Sequence, residues 1–202
     1  MTKPNYQNAQ FLLSVAHLDQ LPADQGIEVA FVGRSNAGKS SVLNQLTQNK
    51  NLARVSKTPG RTQLINLFTL DDHRRIADLP GYGYAKVPAD IKKQWQTLLD
   101  TYLRNRHSLR GLILVMDIRH PLKEFDQNML DWCSQCALSV HILLNKSDKL
   151  TRSAIHTTFK EVSKKIEHYP NTITLQVFSA VKGTGLDELK EKLNKWYRRD
   201  EH

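Results

Sequence analysis

Eight consecutive residues, Gly33-Arg34-Ser35-Asn36-Ala37-Gly38-Lys39-Ser40, constrain this chain more than any other stretch. They match G-x-x-x-x-G-K-[ST], with Ile27 to Val32 reading as a strand before them and Ser41 to Leu46 able to open a helix after them. The spacing has a physical reason. Gly33 and Gly38 let the backbone wrap a phosphate without a Cβ clash. Consecutive N–H groups and the helix N-terminus then point at the anion. Lys39 brings a point charge to the outer phosphates, and the Ser40 hydroxyl can ligate Mg²⁺. A helix cap followed by an exposed lysine would not need both glycines.

The rest of the chain alternates strand and helix. Leu64 to Leu70, Arg75 to Leu79, Leu112 to Asp117, Val140 to Leu144 and Thr172 to Phe178 read as strands. Two of them are apolar on both faces, as strands in covered parallel sheets are. Four helical stripes lie between or after them: Trp95 to Leu103, Phe125 to Cys136, Ile155 to Tyr169 and Leu186 to Tyr197. Asp71 to Arg74 fits a hairpin loop. The pattern predicts an α/β fold of three layers: a mostly parallel sheet with one antiparallel edge strand and helices on both faces. Residues 1–24 are expected to flank a single domain spanning 25–200.

Composition closes off other classes. At 202 residues, 40% hydrophobic and 24% charged, with a mean hydropathy of −0.50, the chain is globular and carries no membrane-spanning run. No export signal is visible, and a cytoplasmic location is expected. Cys133 and Cys136 lie on one apolar stripe, so they read as structural thiols rather than a redox or zinc pair. The net charge is +9. Residues 50–110 hold twelve basic and five acidic side chains, a local +7 that favours an anionic partner such as nucleic acid.

A phosphate loop alone leaves ATPase, kinase and GTPase open. Asn145-Lys146-Ser147-Asp148 narrows the choice. It follows a buried strand, at the edge where open α/β sheets bind ligands. An Asp carboxylate can accept from guanine N1–H and the 2-amino group, whereas adenine offers neither donor. Asp78-Leu79-Pro80-Gly81 supplies D-x-x-G at a strand end: Asp78 can hold Mg²⁺ through water and the Gly81 N–H can sense a γ-phosphate. Phe178-Ser179-Ala180 follows the last strand and matches the usual backbone contact to a base. Thr58 and Thr62 fall in the segment expected to be the first switch, and Thr62 is the expected Mg²⁺ ligand because it lies closer to the next strand.

The ordered set GRSNAGKS, TPGRTQ, DLPGYGYA, NKSD and FSA resembles the EngB (YihA/YsxC) subgroup of translation-factor-related GTPases over nearly the whole chain. The resemblance implies a six-stranded Ras-like G domain that binds GTP and Mg²⁺. It also implies a role in assembly of the large ribosomal subunit and a need for the protein in normal cell division and septation. It places nucleotide contacts at Gly33, Arg34, Ser35, Asn36, Ala37, Gly38, Lys39 and Ser40. Further contacts fall at Gly60, Arg61, Thr62, Gln63 and Leu64, and at Asp78, Leu79, Pro80 and Gly81. The last fall at Asn145, Lys146, Ser147, Asp148, Phe178, Ser179 and Ala180. Mg²⁺ falls to Ser40 and Thr62, and the catalytic contributions to Lys39, Thr62 and Gly81. The expected partners are a guanine nucleotide and the large subunit or its rRNA, with the chain acting as a monomer.

Related enzymes orient the attacking water with a Gln directly after D-x-x-G, but here that position is Tyr82. A phenol is a poor substitute, so slow intrinsic hydrolysis is expected. Asn36 has two readings: a ligand-shaping residue beside a bound K⁺, or a residue that only shapes the loop. Arg61 reads as phosphate-facing or solvated rather than as an internal arginine finger. Arg54, Lys57, Arg61, Lys86, Lys92 and Lys93 are candidates for RNA phosphates in a GTP-ordered switch. A P-loop kinase or ATPase is disfavoured by Asp148. An RNA-binding module gated by nucleotide without significant turnover is the alternative.

Overall fold

The computed structural model describes residues 3–53, 64–82, 89–170 and 172–198. Among these residues seven strands form one sheet in the order β1-β3-β4-β2-β5-β6-β7. They are β1 (Gln10–Val15), β2 (Ile27–Gly33), β3 (Ile65–Thr69), β4 (Arg74–Asp78), β5 (Leu109–Asp117), β6 (Ser139–Asn145) and β7 (Ile173–Val177). Among the described residues five α-helices flank it: α1 (Lys39–Thr47), α2 (Ala89–Asn105), α3 (Glu124–Gln135), α4 (Arg152–Ile166) and α5 (Leu186–Trp196). β4, β2, β5, β6 and β7 pair in parallel, while β3 runs antiparallel to both β4 and β1.

The expected α/β architecture is present, with one correction: seven strands, not six. The additional strand is β1, within the segment expected only to flank the domain. It escapes a sequence pattern because it is an edge strand. Phe11 and Leu12 are exposed, only Val15 is fully buried, and a register shift between Phe11 and Leu13 breaks the alternation. Pairing with β3 shields the antiparallel strand, which therefore stands second from the edge.

Period-two alternation sends each central strand into two cores. On β5, Leu112, Leu114 and Met116 join Leu99 of α2, Met129 of α3 and Val162 of α4 on one face. Ile113 and Val115 join Val42, Leu43 and Leu46 of α1 and Leu189 and Leu193 of α5 on the other. Each fully buried aliphatic side chain contributes roughly 1.5–3 kcal/mol. Cys133 is a free buried thiol of the first core, its pKa pushed up by burial, and Cys136 is half-buried beside it. These helices leave the C-terminal ends of the parallel strands open. Chain order reverses beside β2, which has β4 on one flank and β5 on the other, and the loops after these strands converge there.

Candidate functional site

The turn from β2 into α1 has the shape the octapeptide predicts. Gly38 is the N-cap of α1 with φ 94°, and Asn36 also takes a left-handed φ of 66°. Asn tolerates that region better than most residues, and its side chain is exposed. A Cβ on Gly38 would collide with the amide nitrogen of Asn145, and one on Gly33 with the carbonyl oxygen of Val115. Both glycines are therefore demanded by close approach, with or without a ligand.

Asn145, at the end of β6, ties two loops together. Its Nδ2 donates to the Ala37 carbonyl at 2.9 Å, and its Oδ1 accepts from the Ala180 N–H at 3.1 Å. Lys146 takes a left-handed φ of 66°, and its Nζ donates to the Asn36 carbonyl at 2.5 Å. Ser147 is buried and its N–H donates to the Phe178 carbonyl at 3.1 Å. Asp148 accepts from the Ser179 hydroxyl at 2.6 Å. That hydrogen bond, outweighing the opposing effect of burial, holds its carboxyl below the ordinary range. The Ser179 hydroxyl in turn accepts from the Lys182 N–H at 3.1 Å. Phosphate loop, N-K-x-D loop and F-S-A loop thus form one hydrogen-bonded wall.

Asp78 ends β4 with its carboxylate directly on Lys39 Nζ. Leu79 is fully buried, and its N–H donates to the Phe31 carbonyl at 2.9 Å; Pro80 is buried and Gly81 half-buried. Tyr82 is 2% exposed. Its backbone lies beside the phosphate loop, donating to the Gly33 carbonyl at 3.3 Å and accepting from the Ser35 N–H at 2.7 Å. Its hydroxyl donates to Asp126 at 2.5 Å, and its ring stacks on Phe125. Burial and the Asp126 carboxylate raise the Tyr82 pKa well above the usual value, so the hydroxyl stays protonated.

Of the remaining expected residues, Leu64 is half-buried just before β3. Thr58, Gly60, Arg61, Thr62 and Gln63 lie outside the described residues, as do Arg54, Lys57 and Lys86.

Three partners are not visible in the motifs. Asp117 pairs in register with Asn145. Its carboxylate holds Lys146 Nζ at 3.0 Å and Arg119 Nη2 at 2.7 Å. Burial alone would raise its pKa, but Arg119 and Lys146 pull it far below the usual range. Asp126 also accepts from the Lys123 N–H at 2.9 Å, closing the first turn of α3. A cleft of about 270 Å³ opens here, lined by Arg34, Asn36, Asp117, Arg119, Asp126 and Lys146. Asp117 had one sequence signal, its place at the end of a strand parallel to the one carrying Asn145. Asp126 and Arg119 had none.

Among the described residues no cluster of three His, Cys, Asp or Glu side chains forms that could hold a metal. The donors present are a hydroxyl, Ser40, and a carboxylate, Asp78. Such a sparse oxygen set fits Mg²⁺, which keeps waters and takes its other ligands from a substrate's phosphates.

A phosphate loop at the central strand, locked to an N-K-x-D loop at the same sheet edge, defines a P-loop GTPase. Residues 28–146 match the family described as 50S ribosome-binding GTPase. The chain is 56% identical over 195 residues to the probable GTP-binding protein EngB of Coxiella burnetii, spanning 96% of this chain and 95% of that one. It is 52% identical over 200 residues to the protein of the same name from Shewanella loihica, spanning 97% and 92%. It therefore belongs to the EngB family of GTP-binding proteins. Solved structures share the fold. A probable GTP-binding protein EngB superposes with a TM-score of 0.69 at 21% identity, over 85% of this chain and 98% of that one. Era in complex with MgGDPNP and nucleotides 1506–1542 of 16S ribosomal RNA gives 0.65 at 22%, over 88% and 59%.

Proposed function

We propose that this GTPase is a Mg²⁺-dependent switch with slow intrinsic turnover, acting in assembly of the large ribosomal subunit and needed for normal cell division and septation. The observation that carries the nucleotide part is the wall held by Asn145. It sets Asp148, already ionised and oriented by Ser179, at a fixed distance from the phosphate loop. In this reading Asp148 selects guanine and the amides of Gly33 to Ser40 grip the phosphates. Leu79, Pro80 and Phe178 shape the walls, and Gly60 to Leu64 would add further contacts to the nucleotide.

The chain's own groups suggest the sequence of events. Lys39 and Asp78 neutralise each other across the phosphate site. An arriving triphosphate competes for Lys39, freeing Asp78 to face a hydrated cation. Ser40 and Thr62 would hold Mg²⁺, which when bound neutralises charge on the phosphates. Lys39, Thr62 and the Gly81 N–H would then stabilise charge developing at the γ-phosphate. Tyr82 takes no part in positioning water in this arrangement, because its hydroxyl is engaged by Asp126 in the interior. That supports a slow free enzyme, on the order of 10⁻⁴–10⁻² per second. Asn36 is available to help hold K⁺ beside the phosphates.

Four measurements test this reading. Calorimetry should show GTP bound far more tightly than ATP; equal affinities would remove the guanine assignment. Single-turnover hydrolysis above about 1 per second would contradict the slow switch. Equal rates in KCl and NaCl at matched ionic strength would remove the K⁺ role. Cosedimentation with large ribosomal subunits should depend on whether a GTP analogue or GDP is bound.

A further inference from the structure

Helix α4 carries a feature that counting charges along the chain conceals. Its polar face holds Arg152, His156, Lys160 and Lys164, each four residues from the next and all exposed, and the exposed His168 follows just past the helix end. Residues four apart form one continuous ridge on a helix surface. The opposite face, Ile155, Phe159, Val162 and Ile166, is packed on the sheet, so the ridge can only face solvent. The helix is well anchored at its start, where the Thr151 hydroxyl accepts from the Ala154 N–H at 3.3 Å. Residues 152–168 contain four Lys or Arg and two acids, Glu161 and Glu167, which explains why the sum along the chain looks ordinary. The two acids lie off the ridge. Among the described residues, neither pairs with Arg152, Lys160, Lys164 or Lys165, and those four cations form no salt bridge.

We infer that this ridge is a docking surface for the phosphate backbone of an RNA helix in the large ribosomal subunit. The inference rests on the ribosomal role proposed above and adds the surface. Length fits: from Arg152 to Lys164, twelve steps of 1.5 Å make a ridge of about 18 Å, enough to face about five successive phosphates of one strand. Chemistry fits as well. Long cations without intramolecular partners release counterions when they meet phosphates, whereas a protein-binding surface needs an apolar centre. Exposed large hydrophobic residues among those described are Phe11, Leu12 and Val181, none of them on α4. Such contacts position the protein without reading sequence. The ridge begins four residues past Asp148, so docked RNA would run alongside the proposed guanine site.

The test uses the full chain, purified large ribosomal subunits and, in parallel, a 20-base-pair RNA duplex (about 20 pairs outspans the ridge). The variant R152Q/K160Q/K164Q removes three ridge cations. The control K190Q/K195Q/R198Q removes the same charge from α5 and its end. In 0.1 M salt the ridge variant should bind both probes about ten- to a hundredfold more weakly, and its slope of log affinity against log salt should be shallower by about 2–3. The control should stay close to the parent, and GTP affinity and melting temperature should be unchanged in both. Equal binding by parent and ridge variant overturns the inference. Equal losses in both variants also overturn it, because net charge alone would then be responsible. Weaker subunit binding with an unchanged salt slope overturns it in favour of a protein contact. If the parent binds the duplex through the ridge but not the subunits, the ribosomal reading fails and the RNA surface stands. If the parent binds neither, both fall.

Discussion

A single carboxylate and the hydroxyl beside it carry the strongest residue-scale expectations. Asp148 is aimed by Ser179, which donates to it at 2.6 Å and holds its carboxyl below the ordinary range. Asp148→Asn should weaken GTP binding by roughly 2–4 kcal/mol, since two hydrogen bonds to a charged acceptor are lost or inverted. Calorimetry with GTP and ATP measures both the loss and the collapse of discrimination; unchanged GTP affinity would place the carboxylate outside the base site. Ser179→Ala should cost less, about 1 kcal/mol, because the carboxylate remains but is no longer held. Both residues were legible from N-K-x-D and F-S-A at the ends of predicted strands. The bond between them, 31 residues apart, was not, because it exists only once β6 and β7 are neighbours.

At the scale of elements, the turn into α1 and the far end of β2 make opposite predictions. Gly38→Ala should cost stability by about 1–3 kcal/mol, because φ 94° strains any L side chain and the new Cβ displaces the Asn145 amide. GTP affinity should fall with it, because the bond from Asn145 to Ala37 ties the two loops. Glu28 sits at the start of the same strand, fully buried. It accepts from Tyr102 OH at 2.5 Å, from Arg106 Nη2 at 3.2 Å and from Arg75 Nε at 3.2 Å, joining β2, β4 and the end of α2. Glu28→Gln leaves the mostly buried Arg75 without its counter-charge and Arg106 with only Asp24, and should cost about 3 kcal/mol in denaturant unfolding. GTP affinity of the folded protein should be nearly unchanged, since Gly33 lies about 17 Å away along the strand. An alternating strand pattern would have put a charged residue at Glu28 facing solvent. Only the convergence of two arginines and a tyrosine from distant segments makes its burial tolerable.

The whole molecule has an acid limit that follows from one interior histidine. His141 is 3% exposed on β6, its ring nitrogens on Thr174 Oγ1 at 2.8 Å and Gln176 Oε1 at 2.7 Å. Burial lowers its pKa to about 4 from an ordinary 6.5. The folded state therefore keeps it neutral while the unfolded chain takes up a proton below about 6.5. The stability this contributes is complete above pH 6.5 and is lost as pH falls toward 4, about 3 kcal/mol in all. Unfolding free energies of the parent and His141→Gln between pH 7 and 4 should show the parent falling more steeply; identical slopes would assign acid sensitivity elsewhere. At this scale the layered architecture was already written in the chain, because buried central strands and amphipathic helices carry periods of their own. The edge strand β1 was hidden, since its solvent-facing residues obey no period. The α4 ridge was hidden in the charge sum, since it appears only when the helix is wound and its apolar face is turned to the sheet. The phosphate loop, D-x-x-G and N-K-x-D are local: backbone dihedrals and short spacing suffice to specify them, so linear sequence determined the class of protein. Which groups hold those loops in register was decided by packing. The contacts from Asp117 to Lys146, Tyr82 to Asp126 and Asn145 to Ala37 join atoms that meet only after parallel strands bring distant strand ends to the same edge.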